Sequence, residues 1–186
     1  MLKYKISIFV FTLYWGLLSA QFKQINLDLT NPYVNDVLKS SDGLLWVATQ
    51  EGLNVFYDDQ SEVFYSKIED SLSVLNSDIL KLDSGFSDEI IASSKSGLSI
   101  FNKQNFSFLR IPLKSVPTKI VKEISSKKIW VTTSQSGIYL FDKSFKLENH
   151  FEFDPLNPLS ISTSRFDKDK NSAFYFDENS SRIFIA

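Results

Sequence analysis

The chain of 186 residues contains no cysteine and only one histidine, His150. Without cysteine the fold cannot use disulfides, so packing alone must hold it together. The absence of cysteine also argues against a lipid-anchored lipoprotein. His150 lies in a predicted strand rather than in a helical bundle, which argues against a phospho-accepting histidine. The chain alone therefore has no signalling chemistry.

The chain also lacks a strong excess of positive or negative charge. Twenty Lys and Arg balance 22 Asp and Glu, for a net charge of −2 and a pI near 5.5. This balance argues against binding to nucleic acid or anionic lipid. No G-x-S-x-G or other nucleophile motif occurs, and acidic pairs such as Asp58-Asp59 and Glu69-Asp70 lie in predicted loops without a partner group. The sequence predicts no catalytic residue and no cofactor, and hence no enzyme.

The first twenty residues are typical of a secretory signal peptide. Lys3 and Lys5 precede the apolar stretch Ile6 to Leu18, which ends at the small residues Ser19-Ala20. The alternative is an uncleaved membrane anchor, but the apolar run is shorter than the roughly 18 to 20 residues that span a bilayer. We expect cleavage near Ala20, export to the periplasm or beyond it in a bacterium, and a mature domain over 21–186.

The mature chain repeats one short pattern three times. Aromatic residues make up 15% of the chain, including 17 Phe, which favours well-filled sheets. Each copy is an apolar run, a small polar turn that ends in glycine, and a second apolar strand, as in a β-hairpin. The copies are spaced by about 40 to 45 residues, which is typical of β-propeller blades. The repeated positions are Trp46, Gly52 and Phe56, then Ile91, Gly97 and Phe101, then Trp130, Gly137 and Phe141.

The pattern predicts an all-β partial propeller of about three and a half four-stranded antiparallel blades. The blades are expected at about 30–70, 71–114, 115–156 and, cut short, 157–186. Asp42-Gly43 suits a tight hairpin turn in the first blade. The predicted strands are 34–38, 45–48, 53–56 and 62–68 in blade one, 78–82, 89–93, 98–101 and 106–111 in blade two, 118–124, 128–132, 138–141 and 147–153 in blade three, and 160–167 at the start of blade four.

Three and a half blades do not close a ring, since closure takes about four to eight. An open arc would leave apolar faces and strand edges exposed. The first interpretation is that the chain is the amino-terminal part of a longer protein. The alternative is a small protein that completes itself by self-association through its open blade edges.

The residues resemble a known family, the two-component regulator propeller repeat of Bacteroidetes-type bacteria. The resemblance is carried by Asn35-Asp36-Val37, by 42–49 (DGLLWVAT) with Gly52-Leu53, and by the connectors 154–160 (DPLNPLS) and 70–73 (DSLS). It is strong in blade one, good in blade three and weaker in blade two, where Ile91 occupies the Trp position. The resemblance implies the periplasmic sensor region of a hybrid regulator, with a membrane helix and a histidine kinase further along the chain, and oligosaccharides as typical signals. The alternatives are a secreted propeller scaffold for protein or glycan binding and, third, a propeller-fold lyase or glycosidase.

Two smaller groups of residues have both a functional and a structural interpretation. Asp167, Asp169, Asn171 and Glu178 match four positions of a calcium loop, but Ser172 replaces the required glycine, which favours a solvated hairpin turn. Trp46 and Trp130 could stack on a sugar ring, but equivalent positions in successive blades favour the core. No ligand-binding residue is predicted.

Overall fold

The computed structural model describes residues 28–57, 60–87, 89–161, 163 and 165, and the backbone of 175–177 and 182–184. Its strands form three four-stranded antiparallel sheets, which we call blades 1 to 3, and a two-stranded hairpin. In each blade the strands pair in chain order. Blade 1 contains β1 (Val34–Lys39), β2 (Leu45–Thr49), β3 (Gly52–Tyr57) and β4 (Gln60–Phe64); blade 2 contains β5 (Ile79–Ser84), β6 (Ile90–Ser94), β7 (Gly97–Asn102) and β8 (Ser107–Pro112); blade 3 contains β9 (Pro117–Glu123), β10 (Lys128–Thr133), β11 (Ile138–Asp142) and β12 (Leu147–Phe151); β13 (Tyr175–Asp177) pairs with β14 (Arg182–Phe184).

This architecture confirms the predicted fold class, with two local corrections. β4 ends at Phe64, not at Ile68, because the chain from residue 65 turns away to connect blades 1 and 2. The strand predicted over 160–167 is absent at the described residues of that segment, 160, 161, 163 and 165. The backbone amides of Leu159 and Arg165 are instead bonded to the side chains of Asn157 and Thr163, two residues back, as in tight polar turns.

The repeated glycine turn has the same hydrogen bonds in every blade. A hydroxyl at the end of the second strand donates to the carbonyl of the motif glycine, at 2.9 Å for Thr49 to Gly52 and 3.0 Å for Thr133 to Gly137. Ser94 donates to Gly97 at 3.3 Å. All three hydroxyl residues are fully buried. The hydroxyl thus adds a side-chain hydrogen bond to a buried carbonyl, and in blade 3 that carbonyl also accepts from the backbone amide of Thr133.

The core lies between the blades. Trp46 of blade 1 packs against Phe101 of blade 2, with ring centroids 4.9 Å apart, and both belong to one buried cluster. A second cluster joins Ile91 and Leu98 of blade 2 to Phe141 of blade 3. A sheet that buries each of its apolar faces against a neighbouring sheet gains stability from this stacking. Each blade is thus stabilised by the next one.

Arg110 fastens the connection between blades 1 and 2. From β8 its guanidinium donates to the carbonyls of Ser73 (2.7 Å), Lys67 (2.9 Å) and Val74 (3.0 Å), and also to the Ser73 hydroxyl. A planar fork of donors suits such a cluster of oxygens, whereas an ammonium is a single point of charge. This side chain of the outermost strand thus binds the connection to blade 2, together with the amide of Phe108, which donates to the carbonyl of Leu72 at 2.7 Å.

Because the fork geometry carries this contact, we expect Arg110→Lys and Arg110→Met to destabilise the protein to a similar degree. Each should lower the free energy of unfolding by about 2 to 3 kcal/mol, since several carbonyls lose their charged donor. Urea unfolding of the three proteins measures this. If Arg110→Lys unfolds within 0.5 kcal/mol of the parent, on the order of a surface substitution, positive charge rather than geometry holds the connection.

Candidate functional site

A cleft of about 320 Å³ lies between blades 1 and 2. Aromatic side chains of both blades line it, among them Tyr57 and the exposed Phe106. Its charged groups are Glu62, Asp42 and Lys103, and the Lys103 ammonium donates to the Asp42 carboxylate at 2.7 Å. This hydrogen bond, with a second one from Ser40, lowers the pKa of Asp42. An apolar wall with a few polar groups is a common form of small-molecule site.

Trp46 lines this cleft but is only 1% exposed, so its ring is packed in the core and offers no open face to a sugar. Trp130, its equivalent in blade 3, is 8% exposed. The indole Nε1 of Trp130 donates to Glu123 at 2.9 Å, whereas no described residue accepts from the buried Nε1 of Trp46. The cause lies in the register, because Ser40 occupies in blade 1 the place that Glu123 occupies in blade 3, and its short side chain bonds to Leu44 and Asp42 instead.

The other repeated positions lie on the same framework. Three of them are buried, with exposed fractions of 0% for Ile91, 3% for Phe101 and 1% for Phe141, and Phe56 is half-buried. The motif glycines Gly52, Gly97 and Gly137 all have positive φ and lie against the outermost strand of their blade.

A second, wider cleft of about 580 Å³ lies between blades 2 and 3. Its polar lining includes Glu89, Gln104, Lys143 and Ser144. The two clefts occupy corresponding places between successive blades, but the first is more aromatic. The difference follows from Trp46, Tyr57 and Phe64 on the strands of blade 1 and from Phe106 in the turn between β7 and β8.

The inner strands carry charged and polar contacts from blade to blade. Asn35 donates to the carbonyl of Ile79 at 2.7 Å, and Asp36 accepts from the amide of Leu82 at 2.9 Å. On the other side of blade 2, the ammonium of Lys122 donates to the Ser84 hydroxyl at 2.9 Å. Asn35 and Asp36 belong to the motif that carries the family resemblance, and here they join blade 1 to the inner strand of blade 2.

Asp83 is a carboxylate in a place that the other blades fill with apolar side chains. The register sets it opposite Ile91, as Leu38 lies opposite Trp46 and Val121 opposite Trp130. Burial raises the pKa of Asp83 from 3.8 to about 6, while Lys122 and Lys81 partly offset the shift. The neutral acid is therefore favoured here relative to an exposed aspartate.

We expect Asp83→Asn to stabilise the protein at pH 7.5 by about 1 to 2 kcal/mol, allowing for partial exposure to solvent. The pKa of Asp83 is higher in the folded chain than in the unfolded one, so the folded state binds the proton more tightly. The stability from this group is complete below pH 3.8 and is lost as the pH rises through about 6. The gain in melting temperature should thus shrink as the pH is lowered from 7.5 to 4.5. A gain that stays constant over this range would contradict the assignment.

The contacts of His150 are structural ones within blade 3. Its Nε2 lies 2.6 Å from the carbonyl oxygen of Ser136, and its ring stacks on Tyr139 with centroids 3.8 Å apart. It lies on strand β12, as the sequence predicts.

The four calcium-loop positions, Asp167, Asp169, Asn171 and Glu178, and the signal peptide over 1–20 lie outside the described residues. Within the described part of the chain, no group of three or more His, Cys, Asp and Glu side chains is placed to hold a metal ion. No helix in that part is long and apolar enough to cross a membrane. The inner-strand carboxylate Asp83 was not recognised from the sequence; its departure from the apolar pattern of Leu38 and Val121 was the available signal.

Solved structures match this arrangement of sheets. The extracellular domain assigned to the hybrid two-component system BT3049 of B. thetaiotaomicron is similar with a TM-score of 0.59 and 23% identity, over 69% of this chain and 20% of that one. The three sheets are propeller blades. The extracellular domain assigned to BT4673 of the same organism is similar with a TM-score of 0.56 and 11% identity, over 72% of this chain and 22% of that one. The matched part of this chain thus spans about a fifth of the length of these two extracellular domains.

The propeller fold also occurs in an enzyme among the similar structures. A catalytically inactive variant of virginiamycin B lyase from Staphylococcus aureus, with quinupristin, is similar with a TM-score of 0.54 and 16% identity, over 75% of this chain and 47% of that one. Identities this low establish the shared fold alone. The sequence matches no family model and no curated protein.

Proposed function

We propose that this propeller arc is part of the extracytoplasmic, ligand-sensing region of a two-component regulator and is not catalytic in itself. The observation that carries the proposal is the stack of three blades, whose similar structures include extracellular domains assigned to hybrid two-component systems. The basic and apolar start of the chain agrees with export to the periplasm or the cell exterior.

The ligand class we propose is an oligosaccharide or a similar small polar molecule, bound by the complete propeller. The clefts between blades support this class, since Glu62, Asp42 and Lys103 offer hydrogen-bonding groups beside aromatic walls. Sugars are bound by this combination because their hydroxyls need polar partners and their C–H faces pack on aromatic rings.

Sequencing the genomic DNA through and beyond the codon for Ala186 on single long reads tests the proposal. We expect the reading frame to continue, or to resume after one frameshift, into further blades, a membrane-spanning segment and a histidine kinase. A stop codon followed by unrelated DNA would overturn the sensor role and would favour a secreted propeller scaffold.

A further inference from the structure

The connection from blade 1 to blade 2 contains a compact loop over residues 67–74. The amide of Asp70 donates to the carbonyl of Lys67 (3.3 Å), and the amide of Ser73 donates to the carbonyl of Asp70 (3.2 Å). The Ser73 hydroxyl closes the loop, accepting from the amide of Lys67 (2.9 Å) and contacting its carbonyl (3.2 Å). These bonds turn several carbonyl oxygens toward one point.

The loop after blade 3, over residues 154–161, repeats these four contacts. The amide of Asn157 donates to the carbonyl of Asp154 (3.1 Å), and the amide of Ser160 donates to the carbonyl of Asn157 (3.0 Å). The Ser160 hydroxyl again closes the loop, at 3.1 Å from the amide and 2.9 Å from the carbonyl of Asp154. Each residue of the first loop thus has a counterpart in the second: Asp154 for Lys67, Asn157 for Asp70, Ser160 for Ser73 and Ile161 for Val74.

The two loops differ in whether an arginine donates to their carbonyl oxygens. The guanidinium of Arg110, from the outermost strand of blade 2, donates to the oxygens of the first loop. Among the described residues, no arginine donates to the corresponding carbonyls of Asp154, Ser160 and Ile161. The second loop is therefore shaped for a guanidinium that the described part of the chain does not supply.

The charge of the second loop also suits a cation. Lys67, Glu69 and Asp70 give the first loop a net charge of −1, and Asp154 gives the second loop the same charge, with a carboxylate at the position of Lys67. A carboxylate beside converging carbonyls is more favourable for a guanidinium than a lysine in the same place.

Among the described residues, fewer hydrophobic side chains cover the neighbouring face of blade 3 than cover that of blade 1. Val74 is fully buried between blades 1 and 2, while its counterpart Ile161 is only half-buried. Ile161 packs on a small cluster around Trp130 and Ile138. In blade 1 the equivalent tryptophan belongs to a larger cluster that includes residues of the next blade.

We propose that loop 154–161 is the docking site for an arginine on the outermost strand of a further propeller blade, which packs on blade 3 as blade 2 packs on blade 1. A second copy of this chain is not the expected source, because its own loop 67–74 already holds its Arg110. The inference requires another blade but does not depend on a sensor role.

The test uses the full chain labelled with ¹⁵N and a synthetic peptide with the sequence of residues 105–113, which contains Arg110. A second peptide carries methionine at the arginine position. We expect the arginine peptide to shift the amide resonances of Asn157 and Ser160, and the methionine peptide to bind at least fivefold more weakly. The amides of loop 67–74, already occupied, should not shift.

Two variants of the chain sharpen the test. Ser160→Ala removes the hydroxyl that closes the loop and should abolish the preference for the arginine peptide. Leu156→Ala, at a side chain 91% exposed on the same loop, should leave the preference unchanged. Equal affinity for both peptides, or no shift in loop 154–161 at millimolar peptide, would overturn the proposal.

Discussion

Replacing Gly97 by alanine is expected to destabilise the protein by about 3 to 5 kcal/mol, because strain and crowding act together. Gly97 has φ +132°, which side chains rarely adopt, and an added Cβ would lie 2.2 Å from the carbonyl oxygen of Ile111 and 2.8 Å from the amide nitrogen of Leu113. Both atoms are backbone and cannot move aside without parting β7 from β8. Urea unfolding gives the loss directly.

Gly43→Ala is the matched control. Gly43 also has a positive φ, +88°, but no atom lies within 4 Å of an added Cβ. Only backbone strain then destabilises the variant, so we expect its free energy of unfolding to fall by about 1 to 2 kcal/mol. If Gly97→Ala costs no more than Gly43→Ala, the close approach of β7 and β8 is not as described.

Removing the indole of Trp46 is expected to cost about 3 to 5 kcal/mol, which is a large share of the stability of a typical domain. The side chain is 1% exposed and contacts Phe64 of its own blade and Phe101 of the next. Trp46→Ala therefore leaves a cavity where two blades meet. A lower melting temperature and a lower urea midpoint should both report it.

Phenylalanine substitutions separate ring packing from hydrogen bonding. We expect Trp46→Phe to be better tolerated than Trp130→Phe, since the Nε1 of Trp46 has no partner among the described residues while the Nε1 of Trp130 donates to Glu123. The difference in the free energy of unfolding should be about 1.5 to 3 kcal/mol, in line with one hydrogen bond to a charged group. A larger loss at Trp46 than at Trp130 would contradict these indole environments.

The repeat made the blades predictable, because apolar runs and glycine turns depend on local sequence. The strand pairs around Gly52, Gly97 and Gly137 lie within two residues of the predicted ones. The predicted end of β4 was wrong because apolar residues up to Ile68 extend the strand pattern, although the Ile68 side chain is fully exposed. In the turn before β10, Lys127 takes the positive φ (54°) that Gly43 takes in blade 1, so the absence of glycine did not prevent the turn.

Contacts between blades were less predictable, since they join residues far apart in the chain. The loop bonds of Arg110 and the contact between Asp36 and Leu82 depend on how one sheet lies on the next. Trp46 lines a cleft and is still buried; its repetition at the position of Trp130 favoured the core, but the cleft beside it was not predicted.

The central claim is that successive blades pack on each other through shared buried clusters, of which the cluster between blades 1 and 2 is the most aromatic. Nuclear Overhauser contacts between the indole protons of Trp46 and the ring protons of Phe101 test it most directly, with Trp46→Phe to assign the indole signals. The structure predicts strong cross-peaks, because the two ring centroids are 4.9 Å apart. Cross-strand contacts within each sheet, without any between Trp46 and Phe101, would show that the blades form but do not stack, and would contradict the account.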